Sequence, residues 1–185
     1  MNSNLVSDWF GDSFLKLHPR LQQLHKSGGT LSGAVNLQIA TGIAGYIGRR
    51  IAKKLAIPFD PREQLFSVSI MHAPDGLHWN RSFSHSKMHS VFLPVGTLQN
   101  GYWLETTGAL KLHLTVDIKE GGWYWRCLKI KFKKVTLSRY FLPHVNAYKK
   151  IENEKYRFYV GFSFPIFGEV LSYSGLLDSV DSTIS

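Results

Sequence analysis

From Gln64 onward the apolar residues recur with a period of two, and that period limits the fold more than any other feature of the chain. Leu110, Leu112, Leu114, Val116 and Ile118 alternate with Lys111, His113, Thr115 and Asp117. Successive side chains of a strand point to opposite faces, so such a stretch has one dry and one wet side. The alternation recurs through Phe66, Val68 and Ile70, through Leu77, Trp79, Arg81 and Phe83, and through Leu128, Ile130 and Phe132. It returns in Tyr156, Phe158, Val160, Phe162 and Phe164, after which a turn near Pro165 to Gly168 sends the chain back through Val170 to Leu176 as a hairpin. Consecutive alternating strands joined by short turns specify an antiparallel sheet.

The N-terminal third has a different period. Phe10, Phe14, Leu17, Leu21 and Leu24 recur at helical spacing, Pro19 interrupts them, and Gly28-Gly29 ends them. Two short helices follow from this, the second beginning at Pro19, or else one kinked helix. A strand is predicted over Leu31 to Ala40 and a helix from about Ile43 to Ala56, with Ile43, Ile47, Ile51 and Leu55 as its stripe and Pro58 as its stop. The expected fold is α+β: a mostly antiparallel curved sheet of six to eight strands, a half-barrel or open barrel, covered by N-terminal helices. One domain is expected over residues 1–185, helical over about 8–57, sheet over about 64–177, with a frayed tail at 178–185.

The composition is that of a globular chain, 44% apolar and 19% charged, and its 14% aromatic content suits strands. Cys127 is the single cysteine, which excludes an intramolecular disulfide and points to a reducing compartment. The opening residues lack the basic and apolar regions of a signal peptide, and no apolar run is long enough to span a bilayer, so a cytoplasmic location is the expectation. A net charge of +9 admits nucleic acid, an anionic membrane face or an anionic ligand without choosing among them.

Gly42, Gly45 and Gly48 follow a strand and open a helix, like the dinucleotide turn of short-chain dehydrogenases. That turn needs parallel strands alternating with helices, and after Pro58 nearly everything is strand. No tyrosine has a lysine four residues on. The glycines read as a junction that lets helix and strand pack closely, and no cofactor is expected.

Arg81 shares a face with Trp79 and Phe83, and a charge on an apolar face needs a partner or a ligand. Either it forms an internal ion pair, with Glu105 or Glu169, or it anchors an anionic ligand inside the curved sheet. Arg126 shares parity with Tyr124, Leu128 and Ile130 and reads similarly. Glu105 falls on the wet face by parity unless Gly108 marks a bulge that turns it inward. Trp79, Arg81, Glu105, Arg126 and Tyr173 are the candidate ligand-binding residues.

His72, His78, His85 and His89 lie close together, but with only Asp75 nearby their spacing matches no zinc pattern, and no metal is expected. The helical Arg49, Arg50, Lys53 and Lys54 read as a solvated basic face, with an anionic membrane surface as the sharper alternative. Lys129, Lys131 and Lys133, near Trp123 and Trp125, could track phosphates while the indoles stack bases, or could be an ordinary outer strand face. No serine sits in a nucleophile elbow and no histidine accompanies Cys127, so no catalytic set emerges.

Several short motifs together carry a resemblance: Phe14-x-x-Leu17-x-Pro19, Leu24-His25, Ile57-Pro58, Trp79-x-Arg81-x-Phe83, Glu105-x-x-Gly108, Leu142-Pro143 and Gly168-x-x-x-x-Tyr173-x-Gly175-x-Leu177. The chain resembles an uncharacterised bacterial family, domain of unknown function 4166, often found C-terminal to saccharopine-dehydrogenase-like or related nucleotide-binding domains. The resemblance implies an accessory role beside an oxidoreductase partner and supplies no activity.

The leading expectation is a noncatalytic domain that holds an apolar small molecule with an acidic group, anchored by Arg81 and Tyr173. An enzyme using Arg81, Glu105 and Tyr173 is the second reading, and a basic nucleic-acid-binding module the third. Integral membrane contact is not expected.

Overall fold

The computed structural model describes residues 4–58, 64–132, 135–136 and 144–180. Leu142-Pro143 and Lys133 therefore lie outside the described residues. Asn4 caps the first helix, α1 (Leu5–Phe10), by accepting from the Val6 and Ser7 amides, and a 3-10 turn follows over Gly11–Lys16. Helix α2 (Pro19–Ser27) starts with Pro19 in its first turn, where the missing N–H costs nothing. Gly28 ends it at φ +75°, close enough to Ile70 that a Cβ would meet the Ile70 carbonyl oxygen at 2.6 Å.

Eleven strands follow: β1 (Gly29–Ile39), β2 (Gln64–Ala73), β3 (Gly76–Phe83), β4 (Ser86–Val95), β5 (Tyr102–Thr107), β6 (Leu110–Lys119), β7 (Gly122–Phe132), β8 (Val135–Thr136), β9 (His144–Glu152), β10 (Lys155–Phe164) and β11 (Gly168–Val180). Each long strand pairs antiparallel with the next, and the two-residue β8 adds to β7 beside the β7–β9 pairing. The last strand then pairs with the first, from Thr30 opposite Val180 to Ile39 opposite Leu171. The result is a closed ten-stranded antiparallel barrel, which corrects the open six-to-eight-stranded half-barrel expected from the sequence. Closure removes the two free edges that an open sheet of this length would expose. Strand β11 continues through Val180, three residues past Leu177, because Asp178 to Val180 pair with β1.

In such a meander the turns alternate between the two ends of the barrel. The segment from α1 to α2 closes the end that carries the β2–β3, β4–β5, β6–β7 and β9–β10 turns. It is tied there by backbone bonds from Leu98 N to Trp9 O and from His18 N to Gly121 O, each 2.8 Å. Trp9, Phe10, Leu21 and Leu24 enter the core from this cap, and Phe10 meets Trp123 at 4.7 Å between ring centres.

Helix α3 (Gly42–Lys54) does not cover the apolar face of the sheet. It lies outside the barrel against β11 and β1, and its buried residues are Gly45, Gly48 and Ala52, while Ile43 is exposed. A Cβ on Gly48 would stand 2.1 Å from the Val170 carbonyl oxygen, and one on Gly45 2.0 Å from that of Ala40. Gly45 and Gly48 are thus accounted for by close backbone approach, and Gly42 by its φ of +59° at the start of the helix. Among the described residues no helix is long and apolar enough to cross a membrane. The barrel interior carries most of the large buried apolar side chains.

Candidate functional site

Ten strands enclose more space than the eight whose interior side chains can nearly fill. Here the interior keeps a cavity of about 130 Å³, lined mainly by Phe, Leu, Val and Trp side chains. At about 10–15 Å³ of such room for each water-sized group, it holds on the order of ten non-hydrogen atoms. Charged side chains in its lining are Arg81, Glu105 and Lys149.

Arg81 reaches the interior from β3, with its Cζ 5.2 Å from the Trp79 ring centre. Its Nη1 donates to Ser90 Oγ at 2.9 Å, and its Nη2 stands 3.6 Å from Glu105 Oε1. Both charged side chains are only 12% exposed. Ser90, fully buried, lies 2.6 Å from the Thr107 hydroxyl, which donates to Glu105 at 3.3 Å. The polar residues of three successive strands therefore form one network inside an apolar barrel. A guanidinium has five donors. The described contacts give it one hydrogen bond and an ion-pair contact longer than a hydrogen bond, and Arg81 lines the cavity with what remains.

Glu105 points inward, contrary to its sequence parity, and Gly108 makes the β5–β6 turn at φ +55° without a bulge. The inward phase of β5 is set by fully buried Trp103, not by Leu104, so Glu105 and Thr107 follow Trp103. Its register partners Phe92 and Leu112 are both core residues. Tyr173 is buried on β11 among Phe66, Phe83 and Phe158 and also lines the cavity, and burial raises its hydroxyl pKa.

Arg126 is not part of this cluster. Opposite His113 and Leu114 the β7 register skips Leu128, a bulge that reverses the inward phase between Cys127 and Ile130. Arg126 consequently faces outward and pairs with Asp117 at 3.2 Å. Glu169 also lies away from Arg81, accepting from the Tyr159 and Ser172 hydroxyls.

Two groups at the capped end were not singled out by the sequence. Lys149, on β9, has its Nζ 4.0 Å from the Trp123 ring centre, 4.2 Å from that of Trp79 and 5.9 Å from that of Trp125. The Nζ is shut from solvent and has no hydrogen-bond partner among the described residues, and burial first and then the Arg81 charge hold its pKa well below the usual lysine range. His25, on α2, is completely buried against Trp123 and Trp79, at 4.5 and 5.9 Å between ring centres, with neither ring nitrogen hydrogen-bonded among the described residues. Burial above all lowers the His25 pKa well below the usual histidine range and keeps the ring neutral, while the His72 Nε2–H donates to the His25 carbonyl at 2.9 Å. The alternation of Val145, Ala147, Lys149 and Ile151 was the available signal for Lys149, since it sets the lysine in phase with apolar neighbours.

Trp123 and Trp125 turn into the barrel, away from the outward lysines of β7, so they do not form a base-stacking platform beside that basic row. His78 bridges Asp75 and His89 at 2.7 and 3.0 Å, and no group of three or more potential metal ligands occurs among the described residues. Burial pushes the Cys127 thiol up to about 11, unsuited to a nucleophile.

No curated protein and no solved structure matches the chain at a significant level. The model of one protein family matches residues 17–177, a span that contains β1 to β10, β11 as far as Leu177, and all the cavity's charged residues. By that match the chain belongs to the family described as a domain of unknown function (DUF4166).

Proposed function

We propose that the barrel binds a small apolar molecule carrying an acidic group, with Arg81 as the anchor. The supporting observation is a guanidinium inside an apolar cavity whose described partners use only part of its donor set. A carboxylate is the planar acceptor that such a fork takes with two parallel hydrogen bonds. The cavity's apolar walls supply nonspecific affinity for the rest of the ligand, and Tyr173 shapes the wall near the anchor. Glu105 and the Ser90–Thr107 pair hold the guanidinium in place. Exposed Leu65, Ile166 and Phe167 lie at or near the end of the barrel opposite the α1–α2 cap, the apolar side from which such a ligand would enter.

Octanoic acid and octanol, both near the size of the cavity, test this reading by titration of tryptophan fluorescence, since Trp79 and Trp125 line the site. Octanoic acid should bind at least tenfold more tightly than octanol at pH 7. The preference should vanish in Arg81→Met/Glu105→Gln, which removes both charges together. Equal affinities in the native protein would overturn the proposal.

A further inference from the structure

A buried lysine nitrogen with no hydrogen-bond partner needs a reason, because leaving a polar group unsatisfied in an apolar interior costs free energy. The common remedy, a carboxylate, is absent from its described contacts: Glu105 lies with Arg81, two residues along β3 from the Trp79 ring that faces Lys149. Instead Lys149 stands against two indole faces and next to a second cation, Arg81, whose field opposes protonation. His25, on the capping helix, presents no charge to it, being held neutral in the same aromatic setting. Desolvation and a neighbouring cation are the two means by which proteins keep a lysine as the free amine, the form that attacks carbonyl carbon. The flexible four-carbon stem lets the nitrogen move from the indoles into the cavity that Lys149 already lines.

We propose that Lys149 is a covalent docking point that captures an aldehyde or ketone ligand as an imine at the capped end of the barrel. The inference rests on the reading of the cavity as a ligand site, and it makes that ligand an oxo compound, with the acidic group left to Arg81. The amine nitrogen adds to the carbonyl carbon to give a carbinolamine. Loss of water then forms the C=N bond: the C–O bond breaks, and the oxygen departs with both protons that the amine originally carried. No oxidant or reductant is consumed, and hydrolysis reverses the step. His25, with neither ring nitrogen hydrogen-bonded among the described residues, lies against the indoles of Trp79 and Trp123 that also face Lys149, and is the group on the capping helix able to pass the proton during dehydration.

Octanal with sodium cyanoborohydride at pH 7 tests this, because reduction freezes the imine as a stable secondary amine readable by peptide mass mapping. An exposed lysine is unprotonated to the extent of only about one part in a few thousand at that pH. Lys149 should therefore be alkylated at least tenfold faster than the mean of the other lysines, and octanoic acid in excess should slow that site alone. Lys149→Met, close in shape and apolar, should lose the fast adduct. Labelling spread over surface lysines with Lys149 untouched overturns the proposal, and the native protein gives that answer without any variant. Failure of the cavity reading is distinct: octanoic acid would then neither bind nor protect, whatever the labelling pattern.

Discussion

Lys149 and Trp123 are register partners across the β7–β9 ladder, and the lysine Nζ stands 4.0 Å from the centre of that indole ring. The pairing places an ionisable group where water does not reach it. Two contributions oppose each other there. Contact with indole faces favours the ammonium by about 2 kcal/mol when desolvated, whereas removing a charge from water costs several kcal/mol without a partner. The second is larger, so the fold holds the Lys149 pKa well below its value in the unfolded chain.

That difference sets a pH dependence. Between the lowered folded pKa and the ordinary lysine value near 10.4, the unfolded chain binds one more proton at this site than the native protein does. Stability therefore rises with pH across that window, by up to about 1.4 kcal/mol per unit. Urea unfolding from pH 7 to 10 should show the native protein gaining on Lys149→Met. A difference that stays constant over the range would mean that Lys149 keeps its proton when folded.

His25 works in the acid direction. Its folded pKa lies well below 6.5, so as pH falls through 6.5 the unfolded chain takes up a proton that the buried ring refuses. The native protein should lose stability between pH 6.5 and 5 relative to His25→Phe, which keeps an aromatic ring against Trp79 and Trp123. The limiting slope is about 1.4 kcal/mol per unit. Parallel stability curves for the two proteins would rule out a neutral buried His25.

Arg81 and Glu105 should behave as a unit. Arg81→Met leaves the Glu105 carboxylate inside the barrel with only the Thr107 hydroxyl, and should destabilise by about 3 kcal/mol, the cost of orphaning a buried charge. Adding Glu105→Gln should recover most of that loss. A double-mutant cycle with additive effects would show that the 3.6 Å contact carries no coupling.

Much of the local structure was legible in the sequence because it depends on local rules. Pro19 begins α2 and Gly28 ends it, and the phase of Leu77, Trp79, Arg81 and Phe83 gives the inward face of β3. Parity is reliable only while the phase is unambiguous. On β5 both Trp103 and Leu104 are apolar, so the alternation could be started on either, and Glu105 changes side with that choice. On β7 an unpaired Leu128 reverses the phase, and a bulge is a property of two strands in register, not of one.

What only the tertiary structure decided is the closure and what it brings together. Residues of β1 and β11 lie more than a hundred positions apart, and no local signal says that they pair with each other rather than ending as two edges. Once they pair, side chains from distant strands face one interior. Arg81 then meets Ser90 and Glu105, and Lys149 meets Trp79, which is not on a neighbouring strand. Alternation along a strand assigns a side chain to a face. Which other faces it confronts follows from the curvature and register of the whole sheet, and those are fixed only when the barrel closes.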